Sequence, residues 1–241
     1  MKYLVVAFFV ILIILGGCKE QQKEDVKVNI QENLTNSFVP EAPIDMSFRT
    51  SDGVIIRSIL YPNANSKRAL ILLHQLGKDK SSYDPYIIDF QKEFNVLAID
   101  LRGHGESDGD YKQFTDIDFI NMSNDIEAAQ NFMIKRGFPA MNISYIGASI
   151  GANTVQNFIS KTNFDKAVLL SPGIKYRGIE LNMQENNILV IVSKEDTFSY
   201  DTAKQLEKIS PASKFIYLEN KGHGTNMLDK ELIETIIKYL K

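Results

Sequence analysis

The chain has 241 residues, of which 44% are hydrophobic and 24% are charged, and its formal net charge is −3. This balance is typical of an ordinary globular protein, and the length suits a single α/β domain with a substantial core. A weakly acidic chain lacks the basic face that nucleic-acid binding requires, so a nucleic-acid partner is not expected.

The chain begins with a segment that is typical of a secretory signal. Lys2 supplies a positive start, residues 4–15 form an unbroken apolar run, and two glycines precede Cys18, which is the only cysteine. The apolar run is shorter than the roughly 20 residues that a membrane-spanning helix needs. A positive start, a short apolar core and small residues before a cut site predict a signal peptide at 1–17.

The residues around the cysteine, Leu-Gly-Gly-Cys at 15–18, resemble the bacterial lipobox. This resemblance implies cleavage before Cys18 and acylation of that residue, and several acyl chains anchor a protein stably where one alone is marginal. It implies a domain held at a membrane of the bacterial cell envelope and facing outside the cytoplasm. A plain signal peptide, or an uncleaved anchor with an incidental cysteine, is the alternative.

The segment that follows is polar and has too few apolar residues to pack. Residues 19–25 are all charged or amide-bearing, and Pro40 and Pro43 lie near the end of the segment. Such a composition predicts a tether at 18–43. A strand at 26–30 is the alternative for part of it.

Buried strands alternate with helices along the rest of the chain. The apolar patterns predict strands at 44–49, 54–61, 68–73, 96–99, 143–146, 167–170, 188–192 and 215–218, and helices at 81–94, 116–135, 150–160, 200–209 and 228–240. Asp52-Gly53 between the first two strands indicates a hairpin. The remaining alternation predicts an α/β domain at 44–241 with a mostly parallel sheet of about eight strands and helices on both faces.

One motif lies where a strand passes into a helix. Gly147-Ala148-Ser149-Ile150-Gly151 follows the strand at 143–146 and opens the helix at 150–160. In this context a G-x-S-x-G sequence forms a tight turn that presents the serine hydroxyl, and the helix N-terminus places free N–H groups beside it. The alternative is a structural turn in which the serine caps the helix.

Further motifs follow the strands in a fixed order. His-Gln-Leu-Gly at 74–77 follows the third strand, and Asp-Leu-Arg-Gly-His-Gly-Glu-Ser at 100–107 follows the fourth. The serine motif, a late acidic residue and a late histidine come after them. Together these motifs resemble a serine hydrolase of the α/β-hydrolase superfamily over 44–241, and the resemblance implies that superfamily's fold and a catalytic triad.

A serine becomes a good nucleophile only when a base takes its proton, and the chain has three histidines. The resemblance assigns the base to His223, which lies between two glycines after the last strand. His104 corresponds to a structural loop of the family. His74, at the end of the third strand, is expected to support the turn through hydrogen bonds.

The base needs a carboxylate to fix its tautomer and stabilise its charged form. After the seventh strand the sequence reads Ser193-Lys194-Glu195-Asp196, and the resemblance points to Asp196. Glu195 is the alternative acid, and both residues could simply cap the next helix. The family more often has glycine where Ser193 stands, so a slightly different turn is expected.

The tetrahedral intermediate needs hydrogen-bond donors directed at its oxyanion. One is expected to be the backbone N–H of Ile150, the residue after the nucleophile. The resemblance gives the second as the N–H of Leu76. Because many relatives carry glycine where this chain has Gln75, the second donor could instead be Gln75, and its side chain could narrow the pocket.

The sequence leaves room for a small cap only, at about 176–187, so small or exposed acyl groups are expected. No zinc motif is present, and Asp108-Gly109-Asp110 starts like a calcium loop but has Phe119 where the closing glutamate would stand. No glycine-rich loop has a phosphate-binding context, so neither a metal nor a cofactor is expected.

The leading hypothesis is a membrane-anchored hydrolase that cleaves a small carboxylic ester through an acyl-serine intermediate. A thioesterase or a peptidase would use the same triad. The alternative from another class is a non-catalytic binding lipoprotein on the same scaffold. Nothing in the sequence indicates an oligomeric state.

Overall fold

The computed structural model describes residues 38–181, 183, 186–210 and 213–241. The predicted signal peptide, Cys18, the alternative strand at 26–30 and most of the tether lie outside the described residues. Residues 38–43, the end of the predicted tether, adopt neither helix nor strand. Within the described ranges, no helix combines the length and the apolar character needed to cross a membrane.

In the described part of the chain, eight strands form the central sheet. They are β1 (Ile44–Arg49), β2 (Ile55–Tyr61), β3 (Ala69–Leu73), β4 (Asn95–Ile99), β5 (Ile143–Ala148), β6 (Ala167–Leu170), β9 (Ile188–Ser193) and β10 (Lys214–Leu218). Two short strands, β7 (Lys175–Tyr176) and β8 (Ile179–Glu180), form a separate hairpin. All eight predicted strands are therefore present, within a few residues of the predicted bounds, whereas the hairpin was not predicted.

The sheet order is β1-β2-β4-β3-β5-β6-β9-β10. The β1–β2 and β2–β4 pairs are antiparallel, and the remaining pairs are parallel. Every residue of β3, β4, β5, β6 and β9 is buried, as expected for strands covered on both faces. The predicted fold class, a mostly parallel sheet of the α/β-hydrolase type, is confirmed.

Among the described residues, six α-helices flank the sheet: α1 (Ile87–Gln91), α2 (Asp116–Ile120), α3 (Ser123–Lys135), α4 (Ile150–Ile159), α5 (Thr197–Ile209) and α6 (Lys230–Leu240). One apolar cluster packs α3, α4 and α5 against one face, and a second packs α1 and α6 against the other. The predicted arrangement with helices on both faces is therefore present.

Two predicted helices differ from the observed ones. The segment predicted as a helix at 81–94 begins as a 3-10 helix at Lys80–Tyr86, which contains Pro85, and only then continues as α1. Proline lacks the N–H that an α-helix interior needs, which accounts for the tighter first part. The helix predicted at 116–135 is interrupted by a turn at Asn121 and Met122, and this turn keeps Met122 fully buried.

The parallel strands set the position of the candidate site. β3, β5, β6, β9 and β10 are consecutive neighbours in the sheet, and parallel strands end at the same edge. Their carboxyl ends lead into the segments that carry the predicted site residues. In open α/β sheets this edge is where ligands bind.

Candidate active site

Ser149 occupies a sharp turn between β5 and α4. Its backbone has φ 53° and ψ −116°, a conformation that a non-glycine residue rarely adopts. The flanking glycines permit the turn, because a Cβ on Gly147 would lie 2.3 Å from the Gly151 carbonyl oxygen, and one on Gly151 would lie 2.6 Å from the His74 carbonyl oxygen. The strained turn at a strand–helix junction matches the sequence prediction and leaves the serine partly exposed.

Three backbone N–H groups near the serine are available as donors. Within the described parts of the chain, the N–H groups of Ile150, Gln75 and Leu76 donate to no other residue. Ile150 is the first residue of α4, so its N–H has no partner within the helix and adds to the positive end of the helix dipole. The geometry thus supports Ile150 as a donor and leaves both Gln75 and Leu76 open as the second.

His223 pairs with Asp196 and not with Glu195. The Nδ1 atom of His223 lies 2.6 Å from Oδ2 of Asp196, and the two side chains are 39% and 13% exposed. Asp196 directly precedes α5 and follows β9, so the sheet edge positions it. The Glu195 carboxylate instead accepts hydrogen bonds from the backbone N–H groups of Asn220 and Gly222.

The segment that carries His223 lies next to the serine turn. A Cβ built on Gly224 would lie 3.6 Å from the Cβ of Ala148, the residue before Ser149. The Gly224 N–H also donates to Oγ of Ser171, at the end of β6. The three residues of the predicted triad therefore belong to adjoining segments at one edge of the sheet.

His74 is buried and holds the loop that follows β3. The N–H of Leu101 donates to its Nε2 at 3.0 Å, which places the ring proton on Nδ1, and Nδ1 donates to the Gln75 carbonyl oxygen at 2.8 Å. Burial lowers the pKa of His74 to about 4, so the ring is neutral at physiological pH. This is the hydrogen-bonding role predicted for the residue.

His104 lies in the loop after β4, and its side chain is buried. Its ring stacks on Tyr111, with 4.3 Å between ring centroids, and its Nδ1 lies 2.9 Å from the carbonyl oxygen of Arg102. Burial also lowers the pKa of this histidine. The predicted structural role of this loop agrees with these contacts.

One contact at the site was not predicted from the sequence. The side-chain oxygen of Gln75 accepts from the N–H of Thr225 at 2.8 Å and from its hydroxyl at 3.2 Å. Gln75 therefore joins the loop after β3 to the segment that carries His223. The unusual glutamine at this position was the only sequence signal, and nothing local indicated its partner.

The chain matches a sequence model of the family described as serine aminopeptidase, S33, over residues 64–211, which is more than half of its length. The chain belongs to this family of α/β hydrolases. Solved structures with the same fold include an esterase from Rhodococcus sp., with a TM-score of 0.68 and 15% identity over 81% of this chain and 98% of that one. A Pyrococcus furiosus esterase has a TM-score of 0.67 and 19% identity, covering 83% of this chain and 90% of that one.

Curated relatives match this chain over shorter segments. An uncharacterized protein of Mycobacterium tuberculosis is 25% identical over 134 residues, which are 55% of this chain and 36% of the relative. A polyketide transferase of Stachybotrys chlorohalonatus is 32% identical over 113 residues, which are 45% of this chain and 37% of the relative. The part of each curated relative that the chain matches is thus little more than a third of that relative's length.

The β7–β8 hairpin packs against α4, the helix that follows the serine turn, in the region where a small cap was expected. The side-chain amide of Asn153, in the first turn of α4, exchanges two hydrogen bonds with the backbone of Gly173. A Cβ on Gly173 would lie 2.7 Å from the ring of Phe198 and 3.4 Å from the Cβ of Tyr176. Phe198 is 54% exposed, so it and Tyr176 form an aromatic shelf beside the segment bonded to α4.

Surface cavities also occur away from the candidate site. Five cavities in the described part of the chain have linings that include none of Ser149, Asp196 and His223. Across the described ranges, no group of three or more His, Cys, Asp or Glu side chains is arranged to hold a metal ion. The candidate site itself has a serine hydroxyl, an imidazole paired with a carboxylate, and backbone N–H groups as candidate donors.

Proposed function

We propose that the protein is a serine hydrolase that cleaves carboxylic esters, with Ser149 as nucleophile, His223 as general base and Asp196 as its orienting acid. The observation that carries the proposal is the 2.6 Å pairing of His223 with Asp196 in a segment adjoining the strained Ser149 turn. A carboxylate on Nδ1 fixes the ring proton on that atom and leaves Nε2 free to accept the serine proton.

Acylation begins when Nε2 of His223 takes the hydroxyl proton of Ser149 and the serine oxygen bonds to the ester carbonyl carbon. The carbonyl π electrons move to the oxygen, which accepts hydrogen bonds from the N–H of Ile150 and from that of Leu76 or Gln75. Collapse of this intermediate breaks the bond to the alcohol oxygen, and the imidazolium returns the proton to the departing alcohol.

Deacylation repeats the sequence with water as the nucleophile. His223 takes a proton from water, the hydroxide oxygen bonds to the acyl carbon, and the bond to the Ser149 oxygen breaks as that oxygen regains the proton. The carboxylic acid leaves and the serine is restored. The Asp196 carboxylate stabilises the imidazolium in both halves of the reaction.

The substrate is proposed to be a small ester and not a long-chain fat. The short β7–β8 hairpin covers little surface, and the exposed Phe198 and the half-buried Tyr176 offer an apolar shelf in place of a deep tunnel. Ester cleavage, as opposed to amide cleavage, is supported by the solved structures of the same fold that are described as esterases. Such support is an analogy of fold, because one fold hosts many activities.

A fluorophosphonate probe tests the nucleophile directly. We expect covalent labelling of the wild-type protein and none of Ser149→Ala, because the probe forms its bond with an activated serine oxygen. Labelled protein should also lose its activity on nitrophenyl esters. An unlabelled but folded wild type would favour the non-catalytic binding protein, and a strong preference for long acyl chains would contradict the small-substrate proposal.

The location is proposed from the sequence pattern at residues 1–18. We propose that the mature chain begins at Cys18 and is held at a membrane of the cell envelope through lipid on that cysteine. Cys18→Ser should release the protein from the membrane fraction or leave the precursor unprocessed, as mass spectrometry and fractionation would show. An unchanged membrane fraction in that variant would place the anchor elsewhere.

A further inference from the structure

The segment that carries His223 lies between β10 and a short 3-10 helix at Gly224–Met227. Residues 220–225, called here the histidine loop, include His223 and the first two residues of that 3-10 helix. Three of its residues, Asn220, Gly222 and Gly224, have positive φ angles of 53°, 79° and 60°. A loop this contorted keeps one conformation only if its backbone groups are held by partners outside it.

Those partners are side chains from three strand ends. The N–H groups of Asn220 and Gly222 donate to Glu195, that of Lys221 to Ser193, that of Gly224 to Ser171, and that of Thr225 to Gln75, at distances of 2.7–3.0 Å. The remaining residue of the loop, His223, has its side chain on Asp196. Every residue of the histidine loop is thus bound by a side chain from outside the loop.

Glu195 is the central anchor at the first end of the loop. Its two carboxylate oxygens accept from Gly222 N–H at 2.7 Å, from Asn220 N–H at 2.8 Å and from the Ser193 hydroxyl at 2.7 Å. Successive N–H groups in a turn with left-handed residues form a concave site for an anion. The hydrogen bond from Gly222, followed by that from Ser193, lowers the pKa of Glu195 to about 2, so it stays ionised at neutral pH.

Ser193 links this anchor to the sheet. Its side chain is fully buried at the end of β9, where the hydroxyl donates to Glu195 and accepts from Lys221 N–H at 3.0 Å. A glycine at this position could make neither bond. The departure from the common glycine therefore has a structural consequence, which is a second hold on the histidine loop.

Gln75 holds the opposite end and reaches across the site. It lies in the loop that supplies a candidate oxyanion donor, and its oxygen lies so close to Gly224 that a Cβ there would come within 2.1 Å of it. Its amide oxygen, and not its nitrogen, must face Thr225, because the N–H of that residue can only donate. One side chain thus connects the oxyanion side of the site to the base.

We infer that Ser193, Glu195 and Gln75 are positioning residues that hold the histidine loop so that His223 faces Ser149 while paired with Asp196. This inference rests on the proposed hydrolase function. None of the three needs to touch the substrate in this role. The turn after β9 then acts on the base in two ways. Asp196 orients the imidazole, and its neighbour Glu195 orients the backbone that carries the imidazole.

Four variants test the inference. Ser193→Ala removes both hydroxyl bonds, Gln75→Met removes the acceptor for Thr225 with nearly the same shape, and Gln75→Glu keeps an acceptor oxygen. Glu219→Gln is the matched control, because Glu219 precedes the loop, is 68% exposed and pairs only with Lys194 among the described residues.

We expect Ser193→Ala and Gln75→Met to lower kcat about 10- to 100-fold on a nitrophenyl ester, with KM changed about twofold or less, because a small displacement of a base affects the reaction more than it affects binding. Gln75→Glu should recover most of the loss, and Glu219→Gln should match the wild type. In proton NMR spectra, the downfield signal of the His223 Nδ1 proton should broaden or disappear in the two damaging variants only.

Several results would overturn the inference. One is an unchanged kcat together with an unchanged Nδ1 signal in Ser193→Ala and Gln75→Met. Another is a Gln75→Glu variant as impaired as Gln75→Met, which would assign Gln75 a role as an amide donor. If the wild type is neither labelled by a fluorophosphonate nor active on esters, the proposed function fails, and the NMR comparison still decides whether these side chains hold His223.

Discussion

A buried neutral histidine at the end of β3 gives the protein a defined response to acid. Burial lowers the pKa of His74 from its ordinary value of 6.5 to about 4. Between these two values the unfolded chain binds a proton at this residue and the folded chain does not. The contribution of His74 to stability is therefore complete above pH 6.5 and decreases as the pH falls towards 4.

The size of this effect can be measured by comparing the wild type with His74→Asn, which can still donate to the Gln75 carbonyl. The pKa difference corresponds to a loss of about 3 kcal/mol in the free energy of unfolding across this range, at no more than about 1.4 kcal/mol per pH unit. Urea unfolding followed by circular dichroism at pH 4 to 8 should show a steeper decline in the wild type. Parallel curves for the two proteins would contradict the predicted titration.

At the level of the elements, the strands were the most predictable part of the fold. Four of them are short apolar runs buried on both faces, namely β3, β4, β6 and β9. This pattern alone predicts that they are strands and gives their order along the chain. The β1–β2 hairpin follows from Asp52-Gly53, because Gly53 adopts the positive φ of 93° that such a turn needs. The serine turn was predictable for a similar reason, since its glycines lie at points of close backbone approach.

The features that sequence patterns missed are either very short elements or contacts between residues that are far apart in the sequence. The β7–β8 hairpin has two residues in each strand, too few for a period to be visible. The turn at Asn121 and Met122 has neither proline nor glycine to mark it, and burial of Met122 accompanies it. The hydrogen bond that holds the histidine loop at its second end joins Gln75 to Thr225, which are 150 residues apart in the sequence. The two residues meet because the five neighbouring strands from β3 to β10 end at the same edge of the sheet.

Glu195 and Asp196 show the same limit within one turn. Both are acidic, adjacent and at the same strand end, so composition cannot separate their roles. The direction of each side chain does: Asp196 meets the imidazole, and Glu195 meets backbone N–H groups. A replacement should therefore act differently at each position, with Asp196→Asn leaving the imidazole without its charged partner and Glu195→Gln loosening the loop.

At the scale of the whole molecule, Arg102 joins parts that are remote in sequence. Its guanidinium group binds Asp52, in the turn between β1 and β2, through two hydrogen bonds of 2.7 and 2.9 Å. Its Nε donates to Asp125 of α3 at 2.8 Å, and its backbone N–H donates to the same carboxylate. The antiparallel hairpin at one edge of the sheet is thus tied through Arg102 to a helix of the core.

The two carboxylates of this network lie in different environments. Asp125 is fully buried, whereas the side chain of Asp52 is 34% exposed. Burial raises the pKa of Asp125 to about 7 against the opposing effect of Arg102, while the hydrogen bonds from Arg102 hold the pKa of Asp52 below its usual range. Loss of the buried partner should therefore have the larger effect on folding.

We expect Asp125→Ala to lower the free energy of unfolding by about 3–5 kcal/mol, because it removes a buried carboxylate and leaves the Nε and the backbone N–H of Arg102 without their acceptor. Asp52→Ala should cost only about 1 kcal/mol, since water can replace the lost carboxylate. Arg102→Met should cost less than Asp125→Ala, because the carboxyl group that it leaves behind can become neutral by taking up a proton. Urea unfolding at pH 8, above the pKa of about 7 of Asp125, gives all three values.

Fluorophosphonate labelling, at a temperature where each variant is folded, tests whether these substitutions affect stability without affecting the candidate active site. Among the described residues, Arg102, Asp52 and Asp125 make no hydrogen bond or ion pair with Ser149, Asp196 or His223, so the labelling rate of the folded fraction should match that of the wild type. Equal costs for Asp125→Ala and Asp52→Ala would contradict the assignment of the buried carboxylate as the main support of this link. A lower labelling rate in folded Asp125→Ala would instead show that the link between hairpin and helix also sets the geometry of the serine turn.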